Sequence, residues 1–154
     1  MMGAVAWIGV QVRMMRWMDS LLSLRGPGMA AHLATGLRGE REALFHLRKL
    51  GYTVVARRWR STKLRGDVDL IGWEGEWLCF VEVKTRTGRD VMAPAESAVD
   101  EAKREMLRKM ARAYLKGFPE GMRGSVPVRF DVVSVYLQPS GNEFDVYRGA
   151  FGWR

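Results

Sequence analysis

Two charged side chains interrupt the apolar segment 78–86, which otherwise has the composition of a buried β-strand. Successive side chains of a strand point to opposite faces, so Glu82 and Lys84 share one face with Phe80. A carboxylate and an ammonium group on a buried strand are costly unless they pair, form hydrogen bonds or bind a metal. This segment is therefore the first place in the chain where chemistry is expected.

A second carboxylate is predicted to lie directly opposite the first. A tight turn at residues 75–76 would join two antiparallel strands and pair Ile71 with Phe80 and Asp69 with Glu82. Like charges opposite each other destabilise a sheet, so the pair calls for a cation between the carboxylates or a raised pKa on one of them. A turn one residue longer would place Asp69 on the other face instead.

A third carboxylate lies in a helix predicted from about residue 36 to residue 50. Glu40 falls on the inward-facing side of this helix. The apolar stripe on that side consists of Leu37, Leu44, Leu47 and Leu50. A capping role is the structural alternative, but a cap at Thr35 would put Arg38 at the third helical position instead. The pattern therefore favours a functional role for Glu40.

The candidate catalytic residues are thus Glu40, Asp69, Glu82 and Lys84. Hard oxygen ligands of this kind suit Mg²⁺ or Mn²⁺, which would be held by Asp69, Glu82 and Glu40. Such a metal would polarise a phosphodiester and lower the pKa of its bound water, while Lys84 would orient that water or offset charge on the phosphate. The E-x-K spacing alone is a weak signal; the upstream aspartate, the helix glutamate and the basic chain make it moderately specific.

The remaining pattern predicts an α/β domain in the order α-β-β-β-α-β-β. The first three strands should form an antiparallel meander, and the long second helix allows a right-handed crossover that sets strand four parallel to strand three. The result is a central mixed sheet of about five strands flanked by helices. The predicted elements after the first helix are strands 52–56, 67–73 and 78–86, a helix 94–115 with a core stripe of Val99, Ala102, Met106, Met110 and Ala113, and strands 126–137 and 144–147.

The net charge of +8, from 25 Lys and Arg against 17 Asp and Glu, suggests a polyanionic partner, although excess charge also serves solubility. A basic loop at residues 57–65 contains Trp59, which would stack on a base or pack into the core. The candidate nucleic-acid contacts are Arg57, Arg58, Arg60, Lys63, Arg65, Arg86 and Lys103. The alternatives are a solvated loop and a lysine that extends to water; the other basic residues of the second helix, including Arg108, are expected on a solvated face.

Residues 1–30 differ from the rest and are predicted to be an N-terminal extension, poorly ordered or a loose helix, before a domain at 31–154. The apolar start is too short to span a bilayer and has no basic region before it, so stable membrane insertion is not expected. The single cysteine, Cys79, excludes an internal disulfide and a cysteine-rich zinc site. A cytoplasmic location is the default expectation.

A set of ordered motifs between Thr35 and Tyr136 resembles the YraN family, a bacterial group similar to archaeal Holliday-junction resolvases and other PD-(D/E)xK nucleases. The motifs are Thr-Gly-Leu-Arg-Gly-Glu at 35–40, Gly51-Tyr52, Gly-Asp-Val-Asp-Leu-Ile at 66–71, Phe-Val-Glu-Val-Lys-Thr-Arg at 80–86, Lys103, and Arg-Phe-Asp-Val-Val at 129–133. The resemblance implies a restriction-endonuclease-like fold. It also implies that Asp69, Glu82 and Lys84 form the D…ExK core, with Glu40 as the helix carboxylate.

Two positions depart from the family pattern. This chain has Asp67 where the family usually has glutamate, which leaves the role of Asp67 open, and Arg58 where the family usually has asparagine. Neither departure touches the D…ExK set. The related resolvases work as dimers, so the resemblance allows a homodimer.

Two functional hypotheses follow. The first is a Mg²⁺-dependent endonuclease that hydrolyses phosphodiester bonds in DNA, branched DNA included. The second is a nucleic-acid-binding protein that keeps the nuclease fold without turnover. A metal held by Asp69 and Glu82 would favour the enzyme, and a Lys84–carboxylate bridge in the site would favour the binding protein. A purely structural ion cluster is the third and blandest alternative.

Overall fold

The computed structural model describes residues 27–87 and 99–154. Over these residues it confirms an α/β fold in the predicted order, a five-stranded mixed sheet flanked by two helices, consistent with a restriction-endonuclease-like fold. A 3₁₀ turn at Glu120–Met122 precedes the fourth strand. The elements are α1 Pro27–Lys49, β1 Thr53–Trp59, β2 Val68–Glu74, β3 Trp77–Arg86, α2 Glu101–Leu115, β4 Val128–Tyr136 and β5 Glu143–Phe151.

The strands are ordered β1-β2-β3-β4-β5 in the sheet. The first three are antiparallel, β3 and β4 are parallel, and β5 returns antiparallel to β4. The predicted hairpin register is confirmed where Ile71 pairs with Phe80. The β2–β3 pairing ends with Leu70 opposite Val81, one residue short of Asp69. The central position of β3 explains its apolar sequence, because it has a paired strand on each side.

Helix α2 packs on the face of the sheet that carries Phe80 and Phe130. Leu107, Met110, Ala111 and Phe80 are fully buried in this cluster, and Phe130 is 1% exposed. Tyr114 meets the rings of Trp59 and Phe80 edge-on, at centroid distances of 5.2 and 5.7 Å. Trp59 therefore packs against the core, which is the structural alternative allowed for it.

Helix α1 begins at Pro27, well before the predicted start at Gly36. Proline is well tolerated in the first helical turn, so Pro27 and Gly28 belong to the helix although such a pair is typical of linkers. Residues Gly39–Arg154 form one compact unit, and the described residues before Gly39 belong to another. Leu44 and Leu47 are buried as predicted, whereas Leu50 lies beyond the last helical residue and is 41% exposed. Residues 1–26 of the predicted extension lie outside the described residues.

Helix α2 begins after Asp100, whose carboxylate accepts a hydrogen bond from the Lys103 N–H at 2.8 Å. The predicted start at Pro94 lies outside the described residues. The predicted core stripe is partly wrong, because Ala102 is exposed. Arg108, expected on a solvated face, is only 4% exposed. Its guanidinium donates to Gly152 O and to Glu101, at 2.9 and 2.7 Å, and these partners explain how the charge is buried.

A buried ionic cluster ties together β4, β5 and the neighbouring end of β2. The fully buried Asp131 accepts four hydrogen bonds, at 2.8–3.0 Å, from Arg129 Nε, Arg129 Nη2, Tyr52 OH and Gly149 N. Arg129 also donates to Glu74, which accepts further bonds from Arg148 at 2.9 and 3.0 Å. Every charge in this cluster has a partner, which is the pattern of a structural network.

Cys79 lies in β3 beside this cluster and is fully buried. Its Sγ donates to Trp77 O at 3.5 Å. Burial, with the nearby Asp131 carboxylate as a second cause, raises the pKa of the thiol to about 12. Cys79 is therefore a core side chain in its protonated form.

The contact between α1 and β3 leaves no room for a side chain at Gly39. A Cβ atom there would lie 1.7 Å from Thr85 Oγ1. We expect Gly39→Ala to lower the free energy of unfolding by about 1–3 kcal/mol in urea denaturation, because overpacking costs more than alanine returns in helix propensity. Gly36→Ala is the matched control, since a Cβ atom at that position would point into open space. Equal stability of the two variants would contradict the packing described here.

The ionic cluster predicts a loss of stability in acid. The hydrogen bonds from Arg148 and Arg129 lower the pKa of Glu74 from 4.5 to about 2. A carboxylate with a lowered pKa stabilises the fold above its unfolded pKa and loses this contribution as the pH falls towards 2. We expect Glu74→Gln to cost about 1–2 kcal/mol at pH 7, and the difference from wild type to shrink below pH 4.5. Glu76→Gln, in the exposed β2–β3 turn, should change little; a Glu74→Gln effect that does not vary with pH would argue against this ion network.

Candidate active site

Four elements bring charged side chains to the C-terminal half of β3. Glu40 comes from α1, Asp69 from β2, Glu82 and Lys84 from β3 itself, and Lys103 from α2. The carboxylate of Glu40 is close enough to those of Asp69 and Glu82 for like-charge repulsion to act between them. The four predicted catalytic residues therefore lie within one electrostatic environment, and Lys103 joins them.

Asp69 lies where the alternation of β2 is interrupted. Val68 and Ile71 both pack into the core cluster on the α2 side, which a regular strand does not allow for residues three apart. At this irregularity Asp69 Oδ2 accepts a hydrogen bond from the Val83 N–H at 2.8 Å. Burial and the nearby Glu82 carboxylate raise the pKa of Asp69 to about 8. The raised pKa is one of the two outcomes that the sequence predicts for paired carboxylates.

Glu82 is 4% exposed and is neutralised by two lysines. Lys84 Nζ lies 3.2 Å from Oε1, and Lys103 Nζ lies 3.1 Å from Oε2. The lysine side chains are 31% and 27% exposed, so each extends from the carboxylate towards solvent. Two cations thus contact one buried anion.

Glu40 is paired more loosely than Glu82. Burial raises its pKa, and the guanidinium groups of Arg58 and Arg57 oppose this rise. Arg58 Nε lies 3.8 Å from Glu40 Oε2, too far for a hydrogen bond. Arg58 also has a φ of 45°, a left-handed backbone conformation that asparagine tolerates better than arginine. This conformation gives a physical reason for asparagine as the usual residue of the resembled family.

The donor set is suited to a hard divalent cation. The Oε2 atoms of Glu40 and Glu82 are buried and accept no hydrogen bond from the described residues, although cationic side chains lie near both. Residues 27–87 and 99–154 contain no three His, Cys, Asp or Glu side chains placed to hold a metal together. Mg²⁺ is commonly bound by one or two carboxylates, waters and substrate phosphates, and Asp69 and Glu82 are the carboxylates that would hold it here.

The predicted nucleic-acid contacts divide into two groups. Lys63 and Arg65 are exposed in the loop between β1 and β2, and Arg86 is half-buried at the end of β3. Arg60 pairs with Asp67 at 3.7 Å, which assigns Asp67 an ion-pair role in this loop. The other group, Arg57, Arg58 and Lys103, lies against the site carboxylates.

Ser134 is a site neighbour that sequence reasoning missed. It pairs with Lys84 in the parallel β3–β4 register, so both side chains lie on the same face. It is fully buried, and its hydroxyl has no hydrogen-bond partner among the described residues. The signal in the sequence is a serine on a strand face that is otherwise apolar, alternating with Phe130, Val132 and Tyr136.

The crowding of carboxylates predicts that the site reduces stability. We expect Asp69→Asn to raise the free energy of unfolding by about 1–2 kcal/mol in urea with EDTA at pH 7. Folding raises the pKa of Asp69 to about 8, so the carboxylate that is ionised in the unfolded chain has to take up a proton at pH 7, and asparagine avoids this cost. The asparagine oxygen can still accept the Val83 N–H. Asp100→Asn is the matched control, since asparagine caps a helix as well as aspartate does. Destabilisation by Asp69→Asn would mean that the charge of Asp69 is needed for folding.

Neither helix of the described residues is long and apolar enough to cross a membrane.

Comparison with known proteins identifies the family. Residues 39–135 match the family model described as uncharacterised protein family UPF0102. A UPF0102 protein of Koribacter versatilis (strain Ellin345) is 48% identical over 136 residues, covering 88% of this chain and 90% of the relative. Those of Solibacter usitatus (strain Ellin6076) and Rhodococcus opacus (strain B4) are 47% and 44% identical, covering 75% and 71% of this chain and 84% and 87% of the relatives. The chain therefore belongs to UPF0102, the YraN family that its motifs resemble.

Proposed function

We propose that this protein is a Mg²⁺- or Mn²⁺-dependent endonuclease that hydrolyses phosphodiester bonds in DNA, with branched DNA among its candidate substrates. The observation that carries the proposal is the buried Asp69–Glu82 pair beside Lys84 and Lys103. The pKa of Asp69 is raised by burial and by the nearby Glu82 carboxylate, and a buried group with a shifted pKa beside specific charged partners is typical of functional sites.

Each side chain has a distinct role in this proposal. Asp69 and Glu82 would hold the cation, with Glu40 of α1 as the third carboxylate of the site. The Val83 N–H fixes one oxygen of Asp69 and leaves the other for a ligand. When bound, the metal supplies Lewis-acid polarisation of the phosphate and a water of lowered pKa. Lys84 holds the attacking water or offsets the negative charge that develops on the phosphate.

The surrounding charges support a polyanionic substrate. Lys63 and Arg65 are exposed in the loop next to the site, and they can contact phosphates without breaking the ion pairs of Arg60 and Arg58. Such contacts release counterions and make binding salt-dependent. Because they recognise the backbone alone, the choice among duplex, single-stranded and branched DNA is set by shape.

A second candidate function is nucleic-acid binding without hydrolysis. The direct contact of Lys84 with Glu82, at 3.2 Å, favours it. This bridge and that of Lys103 neutralise Glu82 without a metal, so a cation has to compete with both lysines for the carboxylate. The two candidates share the basic loop and differ in whether Glu82 is needed.

Cleavage assays distinguish the candidates. We expect wild-type protein to cut at least one of duplex, single-stranded or four-way-junction DNA in Mg²⁺ or Mn²⁺. Asp69→Ala and Lys84→Ala should each lower the rate by about 10²–10³-fold, because each removes a group that contacts the reacting phosphate, water or cation. Lys109→Ala, an exposed lysine of α2, is the matched control for loss of one positive charge and should keep the wild-type rate.

Binding measurements on the same substrates complete the test. Folded wild-type protein that cuts none of these DNAs, nor RNA, with either metal would refute the hydrolase. If that protein still binds DNA with a steep salt dependence, and Glu82→Gln binds equally well, the second candidate is supported.

A further inference from the structure

Lys103 stands at an electrostatically unfavourable position in α2. It is the third residue after the cap Asp100, in the first turn, where the helix dipole disfavours positive charge. Its backbone N–H is engaged by the Asp100 carboxylate, and its side chain crosses to β3. The contact with Glu82 therefore offsets the electrostatic cost of a positive charge in the first turn of α2. A lysine that merely extended to solvent would not have this compensation.

The other lysines of α2 and its C-terminal end differ from Lys103 in this respect. Lys109 and Lys116 are exposed, whereas Lys103 is 27% exposed and lies 3.1 Å from a carboxylate that is 4% exposed. Lys84 contacts the other oxygen of the same carboxylate. Each oxygen of Glu82 thus has an ammonium group at ion-pair distance, one from the sheet and one from a helix.

We propose that Lys103 couples DNA binding to cation binding by competing with the cation for Glu82 until a phosphate draws it away. The inference rests on the proposed function, since it concerns the same site. A lysine has a flexible stem and a compact charge, so it can exchange a carboxylate partner for a phosphate with little rearrangement. Its exposed fraction means that a phosphate arriving from solvent can reach it.

Competition of this kind makes the two ligands mutually dependent. Without DNA, Lys103 holds Glu82 Oε2 and weakens the affinity for a divalent cation. With DNA, the released oxygen joins Asp69 in binding the cation. By linkage, the cation must strengthen DNA binding by the same factor. Lys103 acts here as a positioning residue, because its effect is exerted through Glu82.

Calorimetric titration of Ca²⁺ into the full chain, with and without a short DNA duplex, tests the coupling. Ca²⁺ takes oxygen ligands as Mg²⁺ does, and gel analysis of the recovered duplex verifies that it is intact. For wild type we expect DNA to tighten Ca²⁺ binding on the order of tenfold, within the range of coupled sites. Lys103→Gln should bind Ca²⁺ more tightly without DNA and show a smaller enhancement. Lys109→Gln removes the same charge from the same helix and should keep the wild-type ratio.

The ratio of the two affinities separates coupling from simple charge removal. An equal enhancement in wild type and Lys103→Gln would overturn the inference, whatever the absolute affinities. Absence of Ca²⁺ binding to both proteins, with DNA present, would overturn it together with the proposed metal site. DNA-enhanced Ca²⁺ binding that depends on Lys103 would support the coupling even if the protein cuts no DNA in Mg²⁺ or Mn²⁺. In that case only the proposed hydrolysis would be refuted.

Discussion

The buried carboxylate of Glu82 is the constraint on which the site depends. Strand β3 has a paired neighbour on each side, and Glu82 within it is 4% exposed. Bulk water therefore cannot solvate this carboxylate. Its countercharges must come from protein, and the structure supplies one from the same strand and one from α2. The placement of α2 against the core thus has an electrostatic as well as an apolar component. The sheet buries the charge of Glu82, and α2 supplies one of the two lysines that compensate it.

Asp131 is another buried carboxylate of the sheet, and its contrast with Glu82 is informative. Asp131 accepts four hydrogen bonds and belongs to a network in which each ionic group has a close partner. Around Glu82, buried oxygens of two glutamates accept no hydrogen bond from the described residues, and Asp69 has a raised pKa. A saturated network stabilises a fold, whereas an unsaturated one has the capacity to take a ligand. This difference distinguishes a structural ion cluster from a candidate site in the same protein.

The parts of the site that follow strand periodicity could be predicted from sequence. Side-chain alternation places Glu82 and Lys84 on one face, and turn chemistry gives the register that brings Asp69 near them. Features set by packing between elements could not be predicted in this way. The rotational phase of α2 decides that Arg108 is buried and Ala102 exposed, and the parallel register decides that Ser134 lies beside Lys84. The early start of α1 was missed because the Pro27-Gly28 pair has the composition of a linker while its backbone is helical.

Because Cys79 is buried in the central strand, the reactivity of its thiol can be used to detect opening of the sheet. The thiol lies in the central strand between paired neighbours, with a pKa raised to about 12, so it is shielded from alkylating reagents and oxidants while the strand is in place. No second cysteine exists in the chain to confuse the signal. The rate at which this sulfur becomes reactive therefore measures how often β3 separates from its neighbours, in whatever ligand state the protein is held.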